Sequence, residues 1–307
     1  MVPVAESASP PIGQGHAPAD AGMPLPPPPM PAGIPLASGP IPLRPMGVGE
    51  ILDVAIRVYK SNWKTLMAIV AVIVVPFTLL QNLAVHSVAH SFVLNGQSFV
   101  PRANYTDYQV VLFVFLGLNY LLIVPFLRGA VARAVGEIYL GERPSAKASL
   151  WFAASKLGSL LLGLLLSTLI IALGLLALAI PGIIFFIRYT FVTPAIVVEG
   201  QSGGASLKRS WALAKGNGWR IFGTLFVASI ITGIVSAILV VPASLVTLSG
   251  GGGSAGWVIR AAAASIASVI ATPFAITVAV LLYFDSRIRN EAFDLSVMAR
   301  EVGQNPS

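Results

Sequence analysis

Cysteine is absent from all 307 residues, which excludes disulfides and thiolate metal sites and leaves the redox state of the compartment unreadable. Charge is also scarce. Asp, Glu, Lys and Arg make up 10% of the chain, where a soluble domain carries roughly 25%. Only three histidines occur, His16, His86 and His90. What fills the space is apolar: 56% of residues are hydrophobic and the mean hydropathy is +0.83. Such a chain cannot build a water-facing surface, so its class is integral membrane protein. In that class a net charge of +7 speaks of topology, not of nucleic acid. Membrane lipids are the expected partners, and no cofactor is expected.

Residues 1–45 differ from the rest. Fourteen of the 23 prolines lie there, including PLPPPPMP from Pro24 to Pro31. Proline-rich sequence with few aromatics cannot bury a core, so a disordered cytoplasmic tail is expected. It serves either as a tether or as a polyproline ligand. It has neither the basic start nor the apolar run of a signal peptide.

A spanning helix needs ~20 mostly apolar residues. Six segments qualify: Trp63–Val85, Val110–Leu127, Leu157–Ile180, Ile183–Val198, Ile221–Leu245 and Ala261–Phe284. Pro181-Gly182 breaks the run between the third and fourth, which predicts a tight hairpin. The expected fold is an all-α membrane bundle over 46–297, with a short cytoplasmic tail at 298–307. Arg57, Lys60 and Lys64 stand at the start of the first span. Arg128, Arg133, Arg143, Lys147 and Lys156 follow the second, Lys208, Arg209, Lys215 and Arg220 the fourth, and Arg287 and Arg289 the sixth. By the positive-inside rule both termini are cytoplasmic.

The cytoplasmic connections resemble one another. GEILDVAIRVYKSNWK from Gly49 parallels GASLKRSWALAKGNGWR from Gly204, and a fainter copy contains the ASL at Ala148. This predicts three related units, each an amphipathic cytoplasmic helix followed by a helical hairpin. In the first helix Leu52, Ile56, Tyr59 and Trp63 recur at helical spacing, with Arg57, Lys60 and Lys64 on an adjoining face. Trp211 and Trp219 occupy similar places in the third unit. Such a helix lies at the membrane interface or packs beneath the bundle.

Three stretches carry a resemblance: LRPMGVGEILDVAIRVYKSNW, TPAIVVEGQSGGASLKRSWALAKGNGWR and YFDSRIRNEAFDL. Together with the spans between them they resemble the bacterial, actinobacterial-type glycerophosphoryl diester phosphodiesterase membrane-domain family. Some relatives fuse this region to a catalytic barrel, which needs ~250 residues of alternating strand and helix. No such region occurs here. The resemblance therefore implies a membrane module without the enzyme.

Tests for chemistry return little. His86 and His90 have ligand spacing but no acidic neighbours. SNWK at Ser61 lacks the partner motifs of acyl transfer, and GGGG at Gly250 lacks those of a phosphate loop. Asn104 opens an NYT sequon. Neither a catalytic residue nor a metal site is expected. Ala263, Ala267, Ala271, Ala275 and Ala279, and Ser229, Gly233 and Ala237, form small-residue ladders for close helix approach, within the chain or in a homo-oligomer.

One residue stands out. Arg188 lies inside the fourth apolar segment, where a charge costs about 2.5–3.5 kcal/mol. It is either paired, with Glu137 or Asp285 as candidate partners, or an anion site for a lipid headgroup. The expected function is a non-catalytic accessory or scaffold subunit for cell-envelope or lipid-handling partners in the bacterial plasma membrane. The alternative is a lipid or small-solute transporter with a midplane site near Arg188.

Overall fold

The computed structural model describes residues 45–90, 102–248 and 256–304. The proline-rich tail, His16, the GGGG motif and most of the loop after the first span lie outside the described residues. So do the side chains of His86, His90 and Asn104.

The described residues are mostly helical, and they contain six candidate spans long and apolar enough to cross a membrane. The first candidate span, Val48–Val85, lies in α1, Val48–His90. Asn62 leaves helical geometry there (φ −124°, ψ 19°). Its side-chain amide donates to the Val58 carbonyl and the Ser61 hydroxyl, competing with the helical ladder and marking off a short arm. The second span comprises α2 (Arg102–Leu118), a π-helical turn at Asn119–Ile123, and α3 (Val124–Tyr139). Pro125 lacks the N–H that the turn before it would use, which accounts for the irregularity.

The sequence reading ended the second span at Leu127. The helix instead runs on to Tyr139 and stops at Gly141, whose φ of 80° favours glycine, three residues before Pro144. Leu127, Val131, Val135 and Ile138 are buried along it. Arg128 and Arg133 therefore lie on a helix rather than in a loop.

Short α4 (Ala146–Ser155) begins at Ser145, whose hydroxyl accepts from the Ala148 N–H. It leads into α5, Leu157–Ala177. The hairpin to α6 (Ala179–Arg188) is tight, as expected: Gly174 packs against Phe185 and Gly182 against Leu175. The fourth span is not one helix. It breaks at Tyr189–Phe191 and resumes as α7, Val192–Glu199. The hydroxyl of Ser210 fills the break, donating to the Arg188 carbonyl (2.7 Å) and accepting from the Phe191 N–H (3.0 Å). Non-helical backbone inside a membrane protein needs such a partner.

Ser210 belongs to α8, Gly203–Ala214. The N-terminal end of α8 sits so close to α5 that a Cβ at Gly203 would lie 2.8 Å from the Ser159 carbonyl. Then follow α9 (Gly218–Leu248) and α10 (Gly256–Gln304). The expected C-terminal tail from residue 298 is, as far as residue 304, a continuation of α10. α10 packs extensively on both α1 and α9.

Candidate functional site

Charged side chains meet at one end of the bundle in three groups. In the first, Asp285 of α10 is fully buried. It accepts from the Met46 N–H (2.6 Å) and from Arg289 Nε (3.1 Å), and it pairs with Arg220. Arg220 and Arg289 also donate to the Met46 carbonyl, at 2.7 and 2.8 Å. The segment before α1 is thus pinned to α9 and α10 through its backbone, while the Met46 side chain enters the core.

In the second group, Arg209 of α8 makes a forked contact with Glu199 at the end of α7 (2.7–2.9 Å) and pairs with Glu291. Tyr283 donates to Glu199, and Arg287 bridges Glu199 and Glu291. The hydrogen bonds to Glu199 raise Arg209 above the usual guanidinium range, against the opposing effect of burial. In the third group, Arg133 Nε donates to Glu137 at 2.9 Å, and its guanidinium lies 4.9 Å from the Phe152 ring centroid. Tyr139 stacks on Phe284 and links this group to the first (3.8 Å between centroids).

These positions correct the expected partners of Arg188. Glu137 is held by Arg133, and Asp285 by Arg220 and Arg289. Arg188 has no ion pair among the described residues. Its Nη1 donates to the Trp211 carbonyl at 3.4 Å, and its guanidinium lies 4.8 Å from the Trp211 ring centroid. The physical reason is the break after α6: α8 folds into it and holds Arg188 against Trp211, with Arg220 lining the same cavity. Arg188 there borders a cavity of about 870 Å³, lined mainly by apolar residues of α6 and by Gly216–Arg220 and Phe222.

In the first arm of α1 a face beside the Leu52, Ile56, Tyr59 and Trp63 stripe meets the bundle. Ile51, Val54, Ala55 and Val58 are buried. Leu52 and Tyr59 flank that core, with Tyr59 donating to the Ile270 carbonyl at 3.0 Å, while Ile56 and Trp63 are partly exposed. Arg57, Lys60 and Lys64 are exposed, and Lys64 lies over the Trp63 ring. Trp219 is 87% exposed and Trp151, missed in the sequence, 79%, against 38% for Trp211. Trp151 was legible beside Lys147 and Lys156, on a helix whose repeat was the faintest of the three.

The small-residue ladder on α9 does not serve close approach within the chain. Ser229, Gly233 and Ala237 are exposed, and a Cβ at Gly233 would meet nothing within 4 Å. Ser229 and Gly233 instead line an open groove that also receives Arg128, a residue the sequence singled out only for topology.

Fold and site together define a multi-pass, all-helical membrane protein without a catalytic barrel among its described residues. Residues 160–299 match the family model described as the membrane domain of glycerophosphoryl diester phosphodiesterase, so the family resemblance holds over that segment. A stretch of 91 residues is 36% identical to the UPF0259 membrane protein plu2479 of Photorhabdus laumondii subsp. laumondii. That stretch covers 30% of this chain and 36% of the relative, so the chain spans about a third of the curated relative it matches. No solved structure matches the chain.

Proposed function

We propose that the chain is a non-catalytic accessory or scaffold subunit, working with cell-envelope or lipid-handling partners in the bacterial plasma membrane. Both termini lie on the cytoplasmic side in this reading, since the charged end carries the basic residues. One observation supports it most. The buried carboxylates Glu137 and Asp285, and the largely buried Glu199, are each consumed by arginine. Their pairing gives these three carboxylates a structural task and leaves them poorly placed to serve as a general acid, a general base or a metal ligand. Among the described residues no group of His, Asp and Glu is arranged to hold a metal.

The three-unit reading fits this role. Short helices α4 and α8 each precede a pair of longer segments, and the arm of α1 before Asn62 stands in the same place. Arg188, stacked on Trp211 at the edge of an apolar cavity, is suited to a lipid headgroup with its acyl chains along α6. Transport through a midplane site at Arg188 is the less favoured reading, because the cavity beside Arg188 reaches Arg220, a residue of the charged end.

Cross-linking in native membranes, followed by purification and mass spectrometry, tests the role. A partner recovered in fixed stoichiometry is the expected result. Cross-links confined to lipid and to the chain itself would overturn the subunit reading.

A further inference from the structure

Arg128 is a charged side chain outside the three groups at the charged end. It lies nine residues before Glu137 on α3, so roughly 14 Å further into the bundle. Its neighbours agree on that depth. Ser229 is nine residues past Arg220 on α9, and Ala275 is ten before Asp285 on α10, again roughly 14–15 Å from the charged end. In a hydrocarbon core of ~30 Å this is close to mid-depth. Among the described residues Arg128 has neither a hydrogen-bond nor an ion-pair partner.

The surroundings form a built groove. Arg128 lines two adjoining cavities of about 410 and 340 Å³, which share Ser229, Thr232, Ala275 and Ile276. Two further hydroxyls of the first cavity, Ser236 on α9 and Thr272 on α10, also have no hydrogen-bond partner among the described residues. Three helices thus each contribute a polar group with unused capacity. The exposed small residues of α9 leave the groove open between them. A guanidinium at this depth is costly unless an acceptor meets it, and no carboxylate among the described residues does so.

We propose that the groove between α3, α9 and α10 binds a phosphate-bearing anion, with Arg128 gripping the phosphate oxygens and the hydroxyls of Ser236 and Thr272 completing the contact. The planar fork of arginine matches two phosphate oxygens at once, and the apolar walls suit the glycerol and acyl portion of a lipid. The site is separate from Arg188 and independent of any partner subunit.

The test uses the full chain, purified in detergent and stripped of lipid. Three probes are titrated: dioleoyl phosphatidylglycerol, dioleoylglycerol without phosphate, and glycerol 3-phosphate. Binding is read by native mass spectrometry and by thermal shift. Loss of a charge-assisted contact predicts that Arg128→Gln binds phosphatidylglycerol roughly tenfold or more weakly. Arg128→Lys should retain part of the affinity, and Thr272→Val should show a smaller loss with the fold intact. Dioleoylglycerol should not bind in an Arg128-dependent way. Arg128-dependent binding of glycerol 3-phosphate would support the site and identify a soluble phosphate ester as its source; dependence for phosphatidylglycerol alone identifies a lipid. Equal binding of phosphatidylglycerol by wild type, Arg128→Gln and Thr272→Val, with no Arg128-dependent binding of glycerol 3-phosphate, overturns the proposal.

Discussion

Asp285 accepts a hydrogen bond from the backbone N–H of Met46 across 239 residues of sequence. Its other oxygen faces Arg220 and Arg289, which both reach back to the Met46 carbonyl. One carboxylate and two guanidiniums therefore hold the start of the membrane domain against its last two helices. Removing the carboxylate leaves two arginines uncompensated. Asp285→Asn should lower the unfolding free energy by about 3–5 kcal/mol. Denaturant unfolding in detergent micelles measures this; an unchanged midpoint would show that the pair is incidental.

The same contact sets a limit for truncation. Deleting residues 2–40 should leave the thermal transition in place, since that stretch has no core to contribute. Deleting residues 2–47 also removes Met46, whose side chain is fully buried, and should lower the transition markedly. Met46→Ala isolates the side-chain part and should cost about 2–5 kcal/mol. Equal transitions for both deletions would contradict the role given to Met46.

How much of this was readable in the sequence varies by level. The six spans, the hairpin at Pro181-Gly182 and the all-helical class followed from apolar runs and breakers, because those are local properties. Partners of charges are not local. Glu137 and Asp285 are candidate partners of Arg188 that sequence alone cannot place beside it, and the fold pairs them with Arg133, Arg220 and Arg289. Two of those partners lie four residues away on the same helix, at a spacing the sequence does display. Arg128 was misplaced because the span was ended at the first charge. The continuing Val131, Val135, Ile138 periodicity and the stop at Gly141 and Pro144 were the available signals. The three stretches that carry the family resemblance also supply Met46, Glu199, Arg209, Arg220, Tyr283, Asp285, Arg287, Arg289 and Glu291, the residues of the first two charged groups.

Close packing of α8 on α5 gives a steric prediction. A Cβ at Gly203 would lie 2.8 Å from the Ser159 carbonyl and 2.9 Å from the Gly163 nitrogen, both backbone atoms that cannot turn away. Gly203→Ala should destabilise by about 1–3 kcal/mol. Gly233→Ala, which meets open space, should be neutral or slightly stabilising. Thermal unfolding of the two variants side by side checks the contrast.

Arg209 tests the forked geometry. Arg209→Lys keeps the charge but loses the two-pronged contact with Glu199, so it should unfold below wild type yet above Arg209→Ala. If lysine and arginine are equivalent in thermal unfolding, charge alone is at work there.

Topology can be read with a single thiol, because the chain has no cysteine. Lys208 is exposed on α8. Lys208→Cys should resist an impermeant maleimide in intact cells and react after the membrane is opened. Labelling of intact cells would reverse the orientation inferred from the basic residues.

The most direct test of the claim that the interior charges serve a scaffold, and not a reaction, reads two properties on the same preparations of Glu199→Gln and Asp285→Asn. These are the unfolding temperature and the recovery of the cross-linked partner. The expected result is that both fall together in each variant, since the carboxylates act through the fold. An unchanged unfolding temperature with lost partner recovery or lost cellular activity would mark the carboxylate as a working group and contradict the claim.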